Sequence, residues 1–377
     1  MSPSGVGTID RDVAPITSDK DGEPHAQASD SRSLEIGTTL PIRNEQTHRG
    51  FKPCHSQMIA LGGSIGTALF IATGLVLRTG GPCFLLVAYS VLCLVTYGVM
   101  TGIAEIASYL PVPGGTMGYY AHKYISSSLG FAWGYLYWYS LGILVPYELT
   151  AVALLVEYWD PSVNPAVWMT ILLVIIVSLN FLPVQWFGEV EFWAAGTKLL
   201  LIVGLVILSI VLCFGGGPNH ELLGFKYWNN PGATRPYIKE GDLGLFLALL
   251  RCLALASFAF VLNPEYLIVT AGEMQSPRFN LPRASRRFFW RLVFLFIPLM
   301  VTIGISCPYN DPMLQESGVA SSPFVIAVKN AGIPILGSII TGAIILSAST
   351  AGNAFLYQAS RNLYSLAVSG NAPACNL

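Results

Sequence analysis

The chain has 377 residues, 53% of them hydrophobic and 11% charged, with a mean hydropathy of +0.57. Soluble domains carry about 25% charged residues, so this composition excludes a soluble globular domain and points to a polytopic membrane protein. The formal net charge of -1 leaves no footprint of a nucleic-acid binder, and only the placement of the charges informs.

Residues 1–50 are rich in Ser, Thr, Asp, Pro and Gly and hold no apolar run, which predicts a disordered cytosolic tail. No charged start followed by an apolar core marks a cleaved signal peptide, so targeting is expected to fall to the first span. Apolar runs of about 20 residues predict an all-α membrane protein. Its spans are expected near 56–79, 82–109, 129–158, 165–184, 190–214, 243–272, 289–308 and 334–358. The cysteines at 54, 83, 93, 213, 252, 307 and 375 are scattered singly, without C-x-x-C spacing or a Cys/His cluster. They read as buried thiols, and neither a metal site nor a cofactor is expected.

The first span carries Gly62-Gly63-Ser64-Ile65-Gly66-Thr67-Ala68-Leu69-Phe70 at its centre. Each glycine there costs roughly 1 kcal/mol in helix propensity. Loosened backbone survives in lipid only where protein buries it or where it lines a cavity, so a break at Ser64, Ile65, Gly66 and Thr67 is a candidate ligand site. The same letters also spell a G-x-S-x-G nucleophile elbow and a G-x-x-x-G helix contact. The elbow needs a preceding strand and a histidine partner, and none of the histidines at 25, 48, 55, 122 and 220 falls in a predicted span. Close helix packing through Gly62 and Gly66 is compatible with a broken helix.

In the third span the aromatics Trp133, Tyr135, Tyr137, Trp138 and Tyr139 suit a membrane interface. Ionisable residues inside spans are functional candidates by default. Glu105 lies in the second span, Glu148 in the third, Lys198 in the fifth, and Arg251 and Glu265 in the sixth. An ammonium is costly to hold away from water, so Lys198 can alternate between charged and neutral forms as a proton carrier, or simply snorkel. Glu189 and Glu191, at the start of the fifth span, read more simply as interfacial. Arg251 reads as a snorkelling or ion-paired group near a span end.

The sixth span is interrupted at Phe258-Ala259-Phe260-Val261-Leu262-Asn263-Pro264-Glu265. Proline removes one backbone bond and clashes with the preceding turn, so this helix is also expected to break. Breaks in spans one and six are what an inverted repeat of five helices predicts, with the ligand between them. Freed amides at Ser64–Thr67 suit a carboxylate, and freed carbonyls near Phe260 and Asn263 suit an ammonium, so the expected ligand is a zwitterion. The basic run 277–287 reads as a cytosolic topology anchor. With the N-terminus inside, inner segments hold about twice as many Lys and Arg as outer ones.

Several stretches resemble the fungal amino acid permeases of the amino acid/polyamine/organocation superfamily. They are His55-x-Gln57-Met58-Ile59-Ala60-Leu61-Gly62-Gly63-Ser64-Ile65-Gly66-Thr67, Glu105-x-x-x-Tyr109-Leu110-Pro111-x-Pro113-Gly114-Gly115 and Val163-Asn164-Pro165-Ala166-Val167-Trp168. Phe187-Gly188-Glu189-x-Glu191-Phe192-Trp193, Ala271-Gly272-Glu273, Pro308-Tyr309-Asn310-Asp311-Pro312 and Ser322-Pro323-Phe324 match as well. The resemblance covers residue 50 or so to the end and makes 51–377 the permease domain. It implies a LeuT-like fold and amino acid uptake coupled to protons, usually at the plasma membrane. By the same resemblance, Ser64, Gly66 and Thr67 match the carboxylate-binding stretch, Phe258 to Glu265 the unwound sixth helix, and Lys198 a lysine implicated in proton coupling. The expected partners are an amino acid, protons and the bilayer, with no nucleic acid.

The sequence departs from the family at Ala68, where a second glycine is common, and at Asn263-Pro264-Glu265. Relatives have about twelve spans and this chain has eight, so a C-terminally truncated product is expected. The alternative to transport is a non-transporting membrane amino acid sensor or regulatory partner. A membrane hydrolase at Ser64 is the third reading.

Overall fold

The structure is a computed structural model that describes residues 62–63, 65–110, 116–159, 162–218, 220, 222–261, 264–265, 277–315, 322–368 and 370–371. The expected tail 1–50, Ser64, Asn263 and the ends of the first and sixth predicted spans lie outside them. Gly62 and Gly63 are helical, and residues 65–66 bend before the short helix α1 (Thr67–Phe70). There follow α2 (Ala72–Tyr109), α3 (Met117–Tyr124), α4 (Ser127–Val156), α5 (Pro165–Asn180) and α6 (Val184–Cys213). The second half holds α7 (Asp242–Ala256), α8 (Pro277–Ser306), α9 (Pro323–Asn330) and α10 (Pro334–Val368). Among the described residues there is no strand.

Six helices are long and apolar enough to cross a membrane, and the shorter α5 is also apolar. The first of the six runs from Thr67 to Tyr109, 43 residues. At 1.5 Å per residue that is roughly 65 Å, twice the ~30 Å hydrocarbon core. Gly81 divides it: its φ of 83° and ψ of 177° break the helix, and Pro82 follows. The corner is pinned from outside by Cys83 N donating to Ala233 O (2.9 Å) and Arg235 N donating to Gly80 O (3.0 Å). Each of the eight predicted spans therefore has a helical counterpart. Large apolar side chains that face outward, such as Leu94, Phe181 and Leu200, suit contact with lipid.

The pairing of the helices follows the expected inverted repeat. The second half of α2 runs antiparallel to α8: Tyr89 meets Phe296, Tyr97 meets Phe289 at 4.7 Å, and Ser285 donates to Met100 O at 3.4 Å. Spans two and seven are thus partners. Spans three and eight, α4 and α10, are also antiparallel, since Gly134 abuts Leu366, Glu148 abuts Gly352 and Trp159 abuts Gly342. Even the short connectors match, because α3 and α9 each have eight residues and fall between the corresponding spans. Inversion of one five-helix unit produces these pairings, and the fold is LeuT-like.

The basic run 277–287, which lies ahead of the predicted seventh span, is helical and forms the start of α8. Pro277 suits a first helical turn, and Leu281, Ala284, Phe288 and Leu292 are buried at helical spacing while Arg283, Arg286 and Arg287 are exposed. The apolar stripe continues beneath the arginines, which hid it from a simple hydropathy count.

Candidate functional site

The break in the first span is held by side chains rather than by its own ladder. Lys198 Nζ on α6 donates to Gly62 O. Ser347 Oγ on α10 donates to Ile65 O at 3.0 Å, and Ser322 Oγ, just before α9, donates to Phe70 O at 3.0 Å. Thr67 N points at the Glu148 carboxylate on α4, 3.4 and 3.5 Å from its two oxygens. Four separate segments thus supply partners to one opened helix, which satisfies backbone groups that lipid could not.

The glycines make this approach possible. A Cβ at Gly66 would lie 2.6 Å from Glu148 Oε1 and 3.3 Å from Ala351 Cβ. One at Gly62 would lie 3.2 Å from Glu191 Oε2. Close packing and helix opening therefore coexist, as anticipated.

Glu148, Glu191 and Lys198 are 3%, 0% and 2% exposed, so three ionisable groups are shut away around residues 62–67. Glu148 and Glu191 both act electrostatically on Lys198. The placement of Glu191 at an interface is overturned by its complete burial, whereas Glu189 is exposed. The physical reason is helical phase. Glu191 and Lys198 are seven residues apart, with Ala194 and Ala195 between them on the same buried face, and Glu189 falls on the opposite side.

Glu191 Oε1 accepts from Asn353 Nδ2 at 3.0 Å, and Asn353 Oδ1 accepts from Asn180 Nδ2 at 2.8 Å. Asn180 Nδ2 also donates to Ile176 O at 2.9 Å. This chain of amides ties α5, α10 and α6 together. Glu191 Oε2 and Thr67 Oγ1 remain buried without a hydrogen-bond partner. Buried oxygens without a partner are uncommon in folded proteins, and two of them lie close to the break.

The sixth span opens where expected. Its α-helix ends at Ala256, a 3-10 turn covers Ser257–Ala259, and residues 260–261 form a turn. The 3-10 turn packs against α1, so the two breaks adjoin. Phe260 is buried among Tyr89 (5.6 Å) and Phe296 (5.3 Å). Phe258 is 67% exposed and stands apart from the buried cluster. Glu265 is half-buried with Oε2 shut from solvent and unpaired, and Glu105 is exposed on α2. Ile65 is buried, its side chain in the core and its carbonyl in the site.

Asn353, Asn180 and Ser347 escaped the sequence reading. A signal existed for the last helix: Ser347, Thr350 and Asn353 recur at i, i+3 spacing within the eighth predicted span. Arg251 is exposed and lines a cavity with Arg78 and Arg235 rather than pairing with an acid.

Comparison with known proteins then decides the family, since amino acid permease matches residues 55–376. The chain belongs to the amino acid permease family. It is 45% identical over 333 residues to a proline-specific permease of Emericella nidulans, covering 87% of this chain and 60% of that protein. It is 43% identical over 337 residues to the proline-specific permease of Saccharomyces cerevisiae, covering 87% and 54%. The dicarboxylic amino acid permease of Saccharomyces cerevisiae is 39% identical over 339 residues, covering 88% and 55%. The chain thus spans about half to three-fifths of the length of these curated relatives. Family and helices together make it an integral, multi-pass membrane protein. These relatives are permeases and not enzymes, so the hydrolase spelling around Ser64 is coincidental.

Proposed function

We propose that the protein carries amino acids across a membrane by proton-coupled symport, holding the substrate at the adjoining breaks in spans one and six. One observation carries the proposal: a fully buried lysine and two buried carboxylates converge on the opened backbone at 62–67. The substrate carboxylate is received by the amides and hydroxyls of Ser64, Ile65, Gly66 and Thr67, where the amide of Thr67 already faces a carboxylate. Its ammonium is received by carbonyls near Phe260 and Asn263, with Glu265 just beyond them in the chain. Lys198 carries the proton, and its bond to Gly62 O links protonation to the position of the first helix.

Two of the matching permeases are named proline-specific, which makes proline the first substrate to test. The placement of Lys and Arg favours a cytosolic N-terminus, and family resemblance favours the plasma membrane.

The test is uptake of radiolabelled proline into proteoliposomes holding the purified chain. Uptake should rise as external pH falls and disappear in Lys198→Ala. Unchanged pH-driven uptake in that variant would end the proton role of Lys198. Saturable proline binding without uptake would support the alternative, an amino acid sensor, while absence of both would refute the site.

A further inference from the structure

Three arginines meet at the Gly81 end of the bundle, far along the helices from the basic start of α8. Arg78 on α2, Arg235 in the loop that pins the corner, and Arg251 on α7 line one cavity of about 450 Å³. None of the residues lining it is acidic. Two of the guanidinium groups are fixed in place: Arg78 Nη1 donates to Leu314 O at 3.2 Å, and Arg235 Nη1 donates to Arg78 O at 3.0 Å. Arg235 is further seated over the Tyr309 ring, 5.8 Å from its centroid.

These contacts use one terminal nitrogen of each guanidinium, and each guanidinium has five N–H donors. The free donors of Arg78 and Arg235, with the whole head of Arg251, face a common space. Three like charges held together at the end of a membrane bundle repel one another, and an anion bound among them relieves that repulsion. Guanidinium forks match the tetrahedral oxygens of phosphate better than a single carboxylate can match three forks.

The remaining walls are apolar. Leu75, Leu255 and Ile238 line the same cavity. Beside it, Leu243, Phe246 and Leu250 form an outward stripe on α7. A group whose charged head enters the arginines and whose tail lies along that stripe satisfies both surfaces. We infer that the cavity of Arg78, Arg235 and Arg251 binds a phosphate group, and that an anionic phospholipid headgroup is the source its apolar walls fit.

The experiment uses the full chain purified in detergent. Native mass spectrometry measures retention of phosphatidic acid against phosphatidylcholine, and thermal unfolding measures stabilisation by inorganic phosphate alone. Preferential retention of one phosphatidic acid is expected, falling about tenfold in Arg251→Gln and further in the Arg235→Gln/Arg251→Gln double variant. Arg286→Gln, at the exposed start of α8, should leave retention unchanged. Stabilisation by inorganic phosphate without lipid preference, lost in the same variants, would support the phosphate site and assign its source to solution. Retention that is equal for both lipids with no response to phosphate would overturn the inference. So would retention that persists in the double variant, or that falls equally in Arg286→Gln. An unfolding curve for each variant alone, matching that of the unaltered chain, keeps loss of binding separate from loss of fold.

Discussion

Replacing Gly66 by alanine places a methyl group where the structure holds the Glu148 carboxylate. The backbone at Gly66 is extended, with φ of -117° and ψ of -159°, so alanine is conformationally acceptable and the effect is purely steric. The new carbon would lie 2.6 Å from Glu148 Oε1 and 3.3 Å from Ala351 Cβ. Ordinary van der Waals contact requires the carboxylate to retreat by about 0.8 Å. From 3.4 and 3.5 Å, its two contacts with Thr67 N would then pass beyond hydrogen-bond range. Overpacking and an unpaired buried amide together cost about 2–4 kcal/mol. Gly204→Ala on α6 is the control, because nothing lies within 4 Å of its added carbon. The control should be neutral or more stable by up to about 1 kcal/mol. Thermal melting of detergent-purified protein reads stability, and radiolabelled proline binding reads the site. Gly66→Ala should melt several degrees lower and lose binding, while Gly204→Ala keeps both. Equal melting and binding of the two variants would refute the packing of Glu148 against the broken helix.

Three further outcomes are expected. Gly81→Ala forces a side chain onto a φ of 83° and puts its Cβ 2.9 Å from Ala233 O, so folded yield by size-exclusion chromatography should drop well below that of Gly142→Ala, which meets nothing within 4 Å. That backbone conformation, essentially confined to glycine, costs roughly 1–3 kcal/mol for a side-chain-bearing residue. Asn353→Ala removes the donor to Glu191 Oε1 and the acceptor for Asn180, leaving buried polar atoms unpaired at about 1–3 kcal/mol, and thermal melting should show it. Glu105→Gln changes an exposed side chain, so both melting temperature and pH-driven uptake should stay within error of the unaltered chain, with stability inside about 0.5 kcal/mol.

The positions of the helices were open to reading from hydropathy because lipid demands long apolar runs whatever their neighbours. The breaks were legible for the same reason: glycines at 62, 63 and 66 and proline at 264 weaken a helix in the middle of its span. Even the inverted repeat could be anticipated from the spacing of those breaks. The start of α8 was missed because arginines on one face lowered the average hydropathy while the buried face kept its apolar spacing. Glu191 was misplaced because its distance from a span end says nothing about which side of the helix it occupies.

What the sequence by itself determined was local and periodic: which segments are apolar, where their helices cannot continue, and which costly charges they contain. Tertiary structure alone decided which of those charges meet. Glu148, Glu191 and Lys198 come from two helices separated in the chain, and they converge because α10 lies against both, with Ala351 beside Gly66 and Asn353 on Glu191. The three arginines at the Gly81 corner likewise gather from α2, a loop and α7. Periodicity assigns a residue to a face of its own helix, but only packing determines what that face is turned toward.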